Sequence, residues 1–87
     1  MRINDRENYD QIRNSISMKN LGKVIEGKGY TITKVAIHSK VSDSTIISYI
    51  NSQKIPSLPT LISIADFLNV NIDYLLDRTD NPMRVDD

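Results

Sequence analysis

Eighty-seven residues with no cysteine, 39% hydrophobic and carrying eleven basic against eleven acidic side chains, are expected to form one small domain around a single core. This composition excludes a disulfide framework and a thiolate metal site, and its charge balance gives no overall pull toward nucleic acid or membranes. No apolar run approaches the roughly 18 residues of a membrane span, and MRINDRENYD lacks the apolar stretch of a secretory signal, so a soluble cytoplasmic protein is expected.

Residues 1–16 are polar, with Tyr9, Ile12 and Ile16 three and four apart; they fit either a weakly amphipathic helix or a loosely ordered leader. From Met18 the periodicity sharpens. Met18, Leu21, Val24, Ile25 and Lys28 trace one helical stripe, and Gly27 and Gly29 supply stop signals. Thr31 is placed to cap a second, short helix whose buried face is Val35 and Ala36 and which ends near Ser39. Ser42 caps the third, where the Asp43 carboxylate favours the positive end of the helix dipole and Ile46 and Tyr49 face inward. That helix ends around Ile50 to Asn51. The polar run to Lys54, followed by Pro56, makes a loop. Ser57 then caps the strongest pattern in the chain, with Leu61, Ile64, Ala65 and Leu68 at i, i+3, i+4 and i+7 and Pro59 tolerated in the first turn. Asn71 caps a last short helix, Ile72 to Leu76, before a charged tail interrupted by proline.

No strand alternation appears, so the expected fold is all-α: an extension over 1–16, a five-helix domain over 17–77 and a tail over 78–87. The expected core is Leu21, Val24, Val35, Ala36, Val41, Ile46, Tyr49, Leu61, Ile64, Ala65, Leu68, Val70 and Leu75. Charge is not evenly spread. Residues 17–76 carry six lysines against four carboxylates, net +2, while the stretch from Asp77 carries −2. The single His38 has neither a cysteine nor a carboxylate pair to join, the serines lack triad partners, and no glycine-rich phosphate loop occurs. Enzyme chemistry, a metal site and a cofactor are therefore not expected.

Two short helices separated by Ser39, Lys40 and Val41, with the small Ala36 on the first and Ile46 on the second, match a helix-turn-helix. With "YT" at 30–31, "VA" at 35–36, "VSDSTI" at 41–46, "PSLPTLISIADFLNV" at 56–70 and "DYLL" at 73–76, the run from about Leu21 to Leu76 resembles the Cro/C1-type (Xre-like) helix-turn-helix family of phage and bacterial repressors. The resemblance implies a five-helix, lambda-repressor-like domain and a transcriptional regulator, a repressor, that binds double-stranded DNA as a homodimer on a near-palindromic operator. Four positions depart from the family pattern. Ile32 stands where the family usually has a glutamine that touches phosphate and braces the reading helix, Lys40 and Ser52 replace glycines, and Ile50 replaces a common glutamate.

Carried onto this chain, the resemblance puts Asp43, Ser44, Ile47 and Ser48 in the major groove. Asp43 and Ile47, and Ser44 and Ser48, are each four residues apart, so they project on one side of the helix, away from Ile46 and Tyr49. Hydroxyls can serve either base type, a carboxylate can accept from the cytosine amino group, and an aliphatic chain can rest on a thymine methyl. Candidate phosphate contacts are Thr31, Thr33, Lys34, Ser42, Thr45, Asn51, Gln53 and Lys54, at helix starts and in the basic loop. Each has a plainer reading: Asp43 as a helix-start charge, Ser44 as a solvated residue, the lysines as solvated faces. Ile47, Ile50 and Ile55 form an apolar strip beside the reading face, either a further wall of the core or a surface for a protein partner through Ile47 and Ile50. The second option keeps open a different class of protein, an interaction module such as an antirepressor or antitoxin on the same scaffold.

Overall fold

The computed structural model describes residues 5–84, and within them the chain forms six helices and no strand: α1 Asp5–Ser15, α2 Lys19–Gly27, α3 Ile32–Ser39, α4 Asp43–Ile50, α5 Leu58–Leu68 and α6 Ile72–Leu75. Helices α2 to α6 are the five expected ones, and the described part of the extension before them is helical over Asp5–Ser15, residues 1–4 lying outside the described residues.

Each of α3 to α6 starts as its sequence predicts. Thr31, Ser42, Ser57 and Asn71 stand extended at the N-cap, and their side-chain oxygens accept hydrogen bonds from the amides of Lys34, Thr45, Thr60 and Tyr74, three residues on. Helix ends share a second device. A single left-handed residue follows each of α2 to α6, namely Gly29, Lys40, Ser52, Asn69 and Asp77, with φ between 58° and 71°. The next amide then reaches back five residues: Tyr30 to the carbonyl of Ile25, Val41 to Ala36, Gln53 to Ser48, Val70 to Ala65 and Arg78 to Asp73.

Helix α2 is capped from elsewhere. Met18 offers it no side-chain acceptor, and the amides of Lys19 and Asn20 donate instead to the two carboxylate oxygens of Asp77, at 3.2 and 3.0 Å. The buried Asn20 side chain donates to the Tyr74 carbonyl at 2.9 Å, so the start of α2 is clamped to the end of α6. Asp77→Gly removes this cap while suiting the left-handed backbone. We expect it to lower unfolding free energy by about 1–2 kcal/mol in urea denaturation. Asp77→Asn keeps an oxygen acceptor and should lose less than half of that; equal losses for the two variants would show that the carboxylate charge at the start of α2, which both remove, carries the cap rather than an acceptor oxygen alone.

The core gathers Met18, Leu21 and Ile25 with Val35 and Ala36 of α3, Ile46 and Tyr49 of α4, Leu61, Ile64, Ala65 and Leu68 of α5, and Val70 and Leu75. Burial pushes the Tyr49 phenol above its ordinary pKa of 10.0. Two expected core residues, Val24 and Val41, are only half-buried at the rim, and Met18 and Ile25 are fully inside. Lys28, at the end of the expected stripe, is exposed as the residue that closes α2.

The apolar stripe of α1 does not join this core: Tyr9 and Ile12 are exposed, and only Ile16 beyond them is half-buried. At the other end, the chain after α6 turns back on the fold. The Asn71 amide donates to the Pro82 carbonyl at 3.1 Å, its side chain donates to the carbonyls of Asn81 and Met83 at 2.7 Å each, and Arg84 pairs with Asp66 at 2.9 Å. No described helix is long and apolar enough to cross a membrane.

Candidate nucleic-acid interface

A tight corner between α3 and α4 builds the site. Ala36, with almost no exposed surface, lets the two helices approach, and Ile46 and Tyr49 turn the inner side of α4 into the core. Lys40 makes the corner with φ 61° and ψ 41°, and the Val41 amide closes it on the Ala36 carbonyl at 3.0 Å. A lysine in this conformation costs about 1 kcal/mol relative to glycine. With the inner side fixed, helical spacing puts Asp43, Ser44 and Ile47 in solvent on the outer side, with Ser48 half-buried beside them. Eight residues make a helix about 12 Å long, comparable to the width of the major groove of B-DNA.

The structure brings part of the expected site together. At the start of α4, Ser42 Oγ takes the Thr45 amide at 3.1 Å and lies 2.8 Å from Thr45 Oγ1 and 3.1 Å from Ser44 Oγ, so three hydroxyls form one cluster. Thr33, in the first turn of α3, donates its hydroxyl to Asp43 Oδ2 at 2.5 Å and so joins the starts of the two helices. Thr31 is engaged as the cap of α3 at 3.0 Å from the Lys34 amide. Lys34 places its ammonium 4.6 Å from the centre of the Tyr30 ring. Tyr30 in turn lies 5.3 Å from Phe67, on which His38 stacks at 4.2 Å. Asn51, Gln53 and Lys54 are exposed at the far end of α4, where the amides of Gln53 and Lys54 bond the Ser48 carbonyl at 2.8 and 3.3 Å. Polar groups therefore flank the exposed strip of α4 at its start, and Asn51, Gln53 and Lys54 at its far end, while the Lys34 ammonium lies against Tyr30.

The three isoleucines divide. Ile50 packs toward α2, where its side chain would lie 3.4 Å from a Cβ on Gly22, and it adjoins the core; Ile55 is also half-buried. Ile47 is 43% exposed. A second apolar surface was not anticipated from the sequence: Ile37 is 72% and Leu58 66% exposed, and Leu58 and Ile62 line a shallow cleft with His38, Pro59, Ser63 and Asp66. A signal for it did exist, since Ile37 lies off the Val35–Ala36 face and Ile62 off the stripe of Leu61, Ile64, Ala65 and Leu68.

A family model described as Helix-turn-helix matches residues 21–75, more than half of the chain. No curated protein and no solved structure matches it in the corresponding comparisons.

Proposed function

The chain belongs to the Cro/C1-type (Xre-like) helix-turn-helix family, and on that premise we propose that it is a cytoplasmic, sequence-specific transcriptional regulator, a repressor that grips operator half-sites as a homodimer. The observation that carries this reading is the outer side of α4, where Asp43, Ser44 and Ile47 stand in solvent while the inner side is locked into the core. Such a helix is free to enter a groove without disturbing the fold. One α4 covers only a half-site, and its side chains include no arginine or lysine for a strong bidentate contact to guanine. Pairing two copies across half-sites about one turn of DNA apart multiplies a weak contact into a useful one.

Affinity then rests on phosphates. Lys34 and Lys54 lie near the start of α3 and beyond the end of α4, with their side chains exposed. Titration of the protein into random duplex DNA at about 50 and about 200 mM salt tests the reading, because phosphate contacts release counterions and make binding weaken steeply with salt. Lys34→Ala and Lys54→Ala should each lower the magnitude of the salt slope by about 1 and weaken all sequences alike. A change in base preference with an intact slope would remove either lysine from the phosphate-binding set.

A second reading has its own observation: two exposed apolar surfaces, Ile47 on α4 and Ile37 with Leu58 and Ile62 on α3 and α5, on a chain with no net charge. They suit a protein-interaction module, an antirepressor or antitoxin. Absence of DNA binding at the lower salt would favour that reading over the repressor.

A further inference from the structure

Asp43 is the only acidic residue between Thr31 and Lys54, and it sits on the side of α4 given the reading role above, on which this inference rests. A carboxylate among phosphates is repelled unless something in the groove gives it a donor. Two features of the fold hold it there all the same. It occupies the first residue of α4, at the positive end of the helix dipole, and Thr33 Oγ1 donates to its Oδ2 at 2.5 Å across the two helix starts. That bond engages one oxygen and orients the side chain before DNA arrives, which lowers the rotamer freedom to be lost on binding. Among the described residues no side-chain or backbone donor meets the other oxygen, Oδ1.

A fixed acceptor with one oxygen free selects a base edge that donates without an adjoining acceptor on the same base. Adenine offers its N6 amino group beside the N7 acceptor, which repels a carboxylate; cytosine offers its N4 amino group with no acceptor next to it in the major groove. We propose that Asp43 reads a cytosine in each half-site and that Thr33, through its hydroxyl on Oδ2, is the residue that positions Asp43 to do so. This role for Thr33 replaces the phosphate contact expected for it from its place at a helix start. The bond ends on the carboxylate that meets the base, so the Thr33 effect appears as base preference rather than as loss of binding to all DNA.

The test is selection from a randomised duplex pool followed by titration of single-base variants, for the wild type, Asp43→Asn, Thr33→Val and Thr33→Ser. The wild type should prefer cytosine at one position per half-site by about tenfold. Asp43→Asn should move that preference to adenine, whose N6 and N7 an amide can engage together. Thr33→Val, close in shape but without the hydroxyl, should erode the cytosine preference several-fold with the salt slope unchanged, and Thr33→Ser should restore it. Tighter binding of Asp43→Asn to every sequence, with preference unaltered, would overturn the proposal by reducing Asp43 to a helix-start charge. So would a Thr33→Val variant that weakens all sequences alike and lowers the salt slope by about 1, because that is the behaviour of a phosphate contact. A wild type that binds no duplex at low salt removes the DNA-reading role itself and this inference with it, an outcome distinct from either variant result.

Discussion

Ile64→Ala is expected to lower the unfolding free energy by about 2–5 kcal/mol, while Ile62→Ala, the same change two residues away on α5, should stay within about 0.5 kcal/mol of wild type. Ile64 has no exposed surface and Ile62 is 42% exposed, although the two share a helix, a residue type and a backbone conformation. Deleting the Ile64 side chain removes buried apolar area and leaves a cavity lined by neighbours that cannot fully collapse. At Ile62 the small loss of burial is offset by the better helix propensity of alanine. In a domain of this size each kcal/mol moves the melting temperature by about 4–8 °C, so a loss near 3 kcal/mol should show as a drop of about 12–24 °C at position 64. Equal melting temperatures for the two variants would contradict the placement of the core.

The contrast between these isoleucines shows what sequence reasoning reaches. Position 64 belongs to a stripe at helical spacing and position 62 does not, and that periodicity is local, so burial along α5 could be read directly. Helix starts were legible for the same reason: Thr31, Ser42, Ser57 and Asn71 each bond an amide three residues away. Ends were less so. Gly29 announces a left-handed residue, but Asp77 adopts that conformation without glycine, and at Lys40 and Ser52 only comparison with the family's glycines pointed to it. The cap on α2 is carried by a residue 57 positions beyond Asn20, a pairing that exists only once the domain has closed. In the candidate site, the exposed strip of α4 followed from its inward partners Ile46 and Tyr49. The link between Thr33 and Asp43 did not, because it depends on how α3 and α4 cross. Ile32, standing where a bracing glutamine is usual, is half-buried against the core, and the adjacent Thr33 makes the contact between the two helix starts.

Ile47→Asp is expected to reduce DNA affinity by at least about 2 kcal/mol, a factor of roughly 30, at low salt. The change leaves the fold nearly untouched, since Ile47 is 43% exposed on the outer side of α4 and the core lies on the other side, at Ile46 and Tyr49. Its melting temperature should therefore stay close to wild type, apart from a few tenths of a kcal/mol in helix propensity. In the groove the new carboxylate meets phosphates on both walls, and unlike Asp43 it has neither a helix start beneath it nor a hydroxyl donor across from it. Repulsion acts on every sequence, so the loss should appear with random duplex as well as with a selected site, and should shrink as salt screens the charges. Ile47→Ala provides the milder comparison: with no charge added, it should relax a preference for thymine through loss of the methyl contact while retaining most of the affinity. If Ile47→Asp binds DNA as the wild type does, α4 does not enter the groove with this side. If the same variant also loses a protein that co-purifies with the wild type, the exposed strip around Ile47 is a partner surface, and the interaction module replaces the repressor.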